Sequence, residues 1–232
     1  MTADYSGAHL SKILSASLIE SKSCNSAVGL LLKSARSMAN QGPLALAREI
    51  DDFRKQFEQI SADADALVTP LGEKQFVWKP GPNRWSIAEC LEHMNAMARA
   101  YLPAIDEGIA DAIRHGAYAE GPFQYSLVGR IFSRMMEPPA RFRMRTTLDK
   151  QPGPERPKRE TLAGFRAYQV QYVDRLRQAN GIDLSRSCVR SPLASWIRIP
   201  LGSAFASMAA HERRHLWQAR KITEMAGFPA AT

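Results

Sequence analysis

The chain contains five histidines, and two of them, His211 and His215, stand four residues apart. On a helix that spacing stacks both imidazoles on one face, about one turn apart. Two neutral ring nitrogens so placed can share one borderline divalent ion. Both belong to the stripe Met208, His211, His215, Ala219 and Ile222, whose steps of 3 and 4 residues mark a face turned toward a core. His93 comes three residues after Cys90 and four before Met97, so it also faces inward or nearly so. A single inward histidine is more commonly a hydrogen-bonded core residue than a ligand. Two in one stripe, with a third on the inner face of another helix, shift the balance toward a metal site. His9 and His115 fall in irregular segments and read as surface residues.

Three further chemistries compete for the same residues. His211-Glu212-Arg213-Arg214-His215 matches H-E-x-x-H letter by letter, the helix motif in which the glutamate is a general base. Only seventeen residues follow His215, with Glu224 as their one acid and no histidine, and the extended form finds Gln218 and Lys221 where Gly and His belong. Glu212 is also about 100° round the helix from His211, toward the flank. It is therefore a weak catalytic candidate. Cys90 is a fourth ligand, a redox thiol or a small core residue, the last being the ordinary case. Glu89 is explained by a capping box with Ser86 and Glu92 as an exposed residue, while either flanks His93 closely enough to orient it. Trp85 and Trp217 lie near the histidines in sequence and are read as caps on the core.

The elements that must position these groups are helical. Leu46, Ile50, Phe53, Phe57, Ile60, Ala64 and Leu67 alternate steps of 4 and 3, predicting a helix over about 44–68 that Pro70 and Gly72 end. Ser86 with Glu89 predicts the start of a second, whose inner side carries Cys90, Met94, Met97, Tyr101, Ile105 and Ile109 and which Pro103 kinks. A third spans about 159–179, with Leu162, Phe165, Tyr168, Tyr172 and Leu176 inward, and a fourth about 201–226. Residues 115–158 are irregular, with a short helix over about 125–136, and Arg141 to Leu148 is the only plausible extended piece. The expected fold class is all-α: a four-helix bundle with a long crossover between helices 2 and 3.

Composition bounds the rest. The chain has 232 residues, 45% hydrophobic and 23% charged, as globular domains do. Three cysteines, far apart and in no C-x-x-C, exclude a disulfide framework and a cysteine zinc finger, and no apolar run is long enough for a membrane span. Segment 1–42 is a serine-rich arm, 43–228 the bundle and 229–232 a tail. The excess of 31 Lys+Arg over 23 Asp+Glu, +8 in all, gathers between Arg186 and Lys221 and among Arg130, Arg134, Arg141, Arg143 and Arg145. No nucleic-acid motif accompanies it, so a solvated face is the default and a mouth attracting an anionic substrate comes second.

Asn83-Arg84-Trp85-Ser86-Ile87-Ala88-Glu89-Cys90-Leu91-Glu92-His93-Met94 resembles the opening of helix 2 in the DinB/YfiT superfamily, and Ala209 to Ala219 resembles its closing H…H…Q helix. The resemblance covers roughly Leu44 to Phe228. It implies a bundle in which His93, His211 and His215 hold one divalent metal ion, zinc or nickel first among the choices. It also implies a transferase or hydrolase that activates a low-molecular-weight thiol or water, or else a non-catalytic, stress-associated metal binder with the same site. Three neutral histidines leave one position open, where water or a thiol loses its proton more easily. A small-molecule substrate is the expected partner and a homodimer is admitted. Neither nucleic acid nor a membrane is expected, and the expected compartment is the cytoplasm.

Overall fold

The computed structural model describes residues 45–139, 152 and 156–230. In chain order its elements are α1 (Arg48–Val68), α2 (Glu73–Phe76), α3 (Ile87–Arg114), α4 (Leu127–Met136), α5 (Lys158–Gln178), β1 (Cys188–Arg190), β2 (Arg198–Pro200) and α6 (Leu201–Thr223). The serine-rich segment 1–42 and the extended piece expected over Arg141 to Leu148 lie outside the described residues. Among the described helices none is long and apolar enough to cross a membrane.

The predicted stripes become the buried faces of four long helices. Ile50, Phe53, Phe57, Ile60 and Ala64 on α1 are buried, as are all six inner residues expected on α3. On α5 the stripe runs Leu162, Phe165, Gln169, Tyr172 and Leu176, in steps of 3 and 4. Tyr168, expected inward, is only partly buried because Gln169 holds the inner position. Phe57 stacks on Tyr172 at 4.6 Å and 12°, a parallel aromatic pair in the centre of the core.

Helix ends follow local chemistry. The Ser86 hydroxyl accepts from the Glu89 amide at 3.1 Å and the Glu89 carboxylate accepts from the Ser86 amide at 2.8 Å, the expected capping box. α3 then runs unbroken through Pro103. α1 begins at Arg48, four residues later than the predicted edge, because the Ala47 amide donates outside the helix to the Asn180 side chain. Its backbone at Ala47 is not helical.

Helix directions can be read from paired residues. α3 and α5 are parallel, since Glu92 meets Thr161 and, further along both, Asp106 meets Arg175. α1 is antiparallel to α5, joined by Phe57 to Tyr172 and by Asp65 to Arg166. α1 and α3 each pack on both α5 and α6, which puts α5 and α6 across a diagonal of the bundle. Parallel neighbours cannot be joined by a tight turn, so the chain needs a crossover running the length of the bundle between α3 and α5. α4 lies in that crossover and packs on α6.

The strand pair was not legible as such. β1 and β2 are antiparallel with Val189 opposite Ile199, and they rest against α3 and the start of α6. The approach to α3 is close: a Cβ at Gly108 would come within 2.9 Å of the Cys188 carbonyl oxygen. The short α2 is likewise an addition to the predicted elements.

Replacing Phe57 with Ala removes a fully buried ring and its stacking partner, and should cost about 3–5 kcal/mol in urea unfolding. Val170→Ala, at a position 60% exposed, should stay within about 0.5 kcal/mol. Equal effects from the two would contradict the assigned core.

Candidate metal centre

His93 sits on the second turn of α3, and His211 and His215 on successive turns of α6. Because α3 packs directly on α6, the two stripes bring all three imidazoles together. The Nε2 atoms of His93 and His211 are 3.2 Å apart. Ring centroids are 5.0 Å apart for His93–His211, 4.7 Å for His93–His215 and 4.5 Å for His211–His215. One nitrogen from each lies within 4.8 Å of the others, so the group can hold a metal ion. Two nitrogens at about 2.0–2.1 Å from a tetrahedral ion stand roughly 3.3 Å apart, which the His93–His211 spacing already matches.

Solvent is almost shut out, with exposures of 3% for His93 and 8% each for His211 and His215. Trp85, just before the Ser86 cap, covers the group, its ring 5.0 Å from His93 and 5.6 Å from His215 at 25°. As the sequence suggested, the indole packs against the core, and it also packs on the histidine rings. Burial drives the His211 imidazole down to about 3, with the neighbouring His93 and Arg214 adding to the effect. Burial likewise pushes His215 well below its ordinary value, with His211, His93 and Arg214 reinforcing it. Both rings are thus neutral at pH 7, the state a metal ligand requires. The Nδ1 atoms of these two histidines are buried without a hydrogen-bond partner.

Around the histidines lies a buried polar layer that sequence reasoning missed. Glu92, expected to be exposed, is buried and accepts a 2.8 Å bond from the Thr161 hydroxyl. The correction arises because α5 runs alongside α3 and covers the flank of His93. The Asn95 amide donates to the Thr161 carbonyl at 3.2 Å. Glu212 does leave the histidine face, yet that flank is the bundle interior: it is 3% exposed and accepts from the Gln169 amide at 3.2 Å, across the diagonal. Burial pushes its carboxyl up to about 8, against the pull of Gln169 and Arg213.

Other candidates separate from the site. Cys90 is fully buried, its thiol pushed far up by burial, and among the described residues the ligating group contains histidines only. His115 caps the C-terminus of α3 and is exposed. His9 lies outside the described residues. Trp217 is half-buried on α6. Glu89 is held by its cap and by Lys79 at 2.7 Å.

A family model described as the DinB superfamily matches residues 56–219. The chain belongs to the DinB superfamily. No curated protein matches it, and no solved structure does. Family and geometry together describe a helical DinB-like protein whose buried histidines suit a metal ion.

The buried titrations set opposite slopes on stability. With His211 lowered from 6.5 to about 3 and His215 lowered as well, the unfolded chain binds protons between those values that the folded one refuses. Metal-free protein should therefore lose stability as pH falls below about 6.5. Glu212, raised from 4.5 to about 8, is protonated when folded and ionised when unfolded, so its contribution is lost as pH rises through that window. Thermal melting of chelator-treated protein should show the acid-side fall, and Glu212→Gln should remove the decline between about 6.5 and 8. A melting temperature unchanged on acidification in both proteins would contradict the assignment.

Proposed function

We propose that the protein holds one divalent metal ion, zinc or nickel, on His93, His211 and His215, and uses it as a transferase or hydrolase on a small molecule. The observation that carries this is the convergence of three nearly buried imidazoles with a 3.2 Å Nε2–Nε2 contact. With one Nε2 protonated the contact is a hydrogen bond between neutral rings; with both unprotonated the same spacing suits a shared cation. A three-histidine cation supplies Lewis acidity at an open position, where it lowers the pKa of water or of a thiol cosubstrate.

The chain's own residues support that chemistry in separate ways. Burial keeps His211 and His215 unprotonated at neutral pH. Trp85 shields two of the rings from solvent and fixes their tilt. A dry surrounding strengthens every electrostatic interaction at the open position. The Glu92–Thr161 bond anchors the turn of α3 that carries His93, without competing for the metal.

A second reading, metal binding without turnover, draws support from the closure of the site, where no histidine is more than 8% exposed. The charge-only alternative of nucleic-acid binding gains no motif from the fold. A homodimer is compatible with either reading.

Metal analysis of the purified protein should give close to one ion per chain. The double variant His211→Ala, His215→Ala should lose it, and full retention would sink the proposed ligand set. Chelation should lower the melting temperature and readdition restore it, with about 2.7 kcal/mol of stabilisation at a hundredfold excess over Kd. Turnover by the metal-loaded protein in a panel of thiols with electrophiles and of esters would favour the enzyme. Silence across that panel would favour the passive binder.

A further inference from the structure

Metal chemistry leaves the loop between β1 and β2 without a purpose. Over residues 191–197 it presents three large apolar side chains to solvent: Leu193 at 52%, Trp196 at 83% and Ile197 at 36% exposure. A lone exposed leucine is ordinary, but a tryptophan so bare, with two aliphatic neighbours in one short loop, is not. The loop itself holds them there. The Ser191 amide donates to the Ile197 carbonyl and the Ile197 amide to the Ala194 carbonyl, both at 2.9 Å. The Leu193 amide bonds to the Ser191 hydroxyl at 3.3 Å. The turn is closed by its own hydrogen bonds, and its apolar residues are left outside.

Cations stand directly behind this tip. Arg190 and Arg198 are opposite each other in the register of the strand pair, and both are exposed, whereas Val189 between Cys188 and Arg190 is buried. Like charges directly opposite weaken a strand pair, so the pairing has a cost that an anion would offset. The Arg190 Nη1 donates to the Ser195 carbonyl at 3.2 Å, which ties that charge to the tip. No acid occurs between Asp183 and Glu212 in the chain. Among the described residues no carboxylate pairs with Arg190 or Arg198.

Three side chains on a protruding loop offer far less than the roughly 800 Å² per partner that a stable protein interface buries. A bilayer interface is fluid and takes a wedge of this size. Tryptophan settles at headgroup depth there, and arginine stems lie along apolar surface while their heads meet anionic lipid. We propose that the β1–β2 tip seats the protein on an anionic lipid surface, with Leu193, Trp196 and Ile197 in the headgroup region and Arg190 and Arg198 on the lipid phosphates. The contact lies on the membrane and does not span it, since none of the described helices is long and apolar enough to cross. β1 approaches α3 at Gly108, fifteen residues beyond His93 and about 22 Å further along the helix axis. A chain seated on the tip keeps its histidine end away from lipid, and the inference stands whether or not the histidines hold a metal.

Cosedimentation of the full chain with phosphatidylglycerol vesicles, and with pure phosphatidylcholine vesicles, tests this. Binding should occur with the first and not the second, and should fade in about 1 M salt, where the Debye length is about 3 Å. Trp196→Ser changes no charge and should weaken binding about tenfold. Trp196→Phe should keep most of the affinity, which guards against a folding defect in the serine variant. Arg190→Gln with Arg198→Gln should weaken binding about fivefold per charge. Arg159→Gln with Arg220→Gln, two exposed arginines at the other end of the bundle, removes the same charge and should cost less. The emission of Trp196, taken as the difference between the parent and Trp196→Phe, should shift to the blue on the vesicles. No binding to phosphatidylglycerol, or equal binding by the parent and Trp196→Ser, would overturn the proposal. So would a dimer that Trp196→Ser separates in a protein that ignores vesicles, which would assign the tip to a second copy of the chain.

Discussion

The structure depends on burying unprotonated imidazoles where α3 meets α6. One protonated histidine in this position would be a cation in a nearly dry interior, and two would place like charges within about 5 Å of one another. Only the neutral forms fit, and in the tautomers that leave the facing nitrogens unprotonated the group can hold a cation. Everything nearby serves that arrangement. The Ser86–Glu89 box fixes where α3 starts and thus where His93 points, Trp85 closes the top, and the stripe on α6 sets the other two rings one turn apart.

Helix topology follows from the same contact. α3 must lie beside α6 for the three rings to meet, and α5 packs parallel to α3 on its other side. A parallel neighbour forces the long connection, and the connection is then available to do work at the site. Its helix α4 ends against Arg213 and Arg214, so the crossover reaches the two residues between Glu212 and His215. A tight turn between helices could not have brought backbone carbonyls there.

Much of this was legible in the sequence, for a definite reason. Long amphipathic helices repeat their signal many times, and the steps of 3 and 4 through Phe57 or His211 carry the register with them. Family motifs around Trp85–Ser86 and His211–His215 pointed to the same three histidines, and the geometry gathers them. What escaped was whatever depends on a second element. Gln169 has no apolar signature, yet it is buried because Glu212 faces it across the bundle. Glu92 looked solvent-exposed because periodicity sees one helix at a time, whereas α5 covers it with Thr161. The β1–β2 pair has only three residues a strand, too few to show an alternating pattern.

The five residues His211-Glu212-Arg213-Arg214-His215 show how far a motif depends on its surroundings. In the protease arrangement the glutamate reaches the water at the metal and the third ligand follows downstream. Here the third imidazole comes from α3, far upstream, and its arrival fixes which side of α6 is the site. That leaves Glu212 on the inward side, 3% exposed and bonded to Gln169, where burial favours the protonated carboxyl over the base form. A buried acid of this kind stiffens the centre of a bundle; it does not activate water on another face. The two arginines between Glu212 and His215 meet the end of α4, Arg213 at the Glu137 carboxylate and Arg214 at the Met135 carbonyl. Letter for letter the motif is that of a hydrolase with a glutamate base; placed in this bundle it supplies two of three gathered histidines that suit a metal ion, and an acid that belongs to the core.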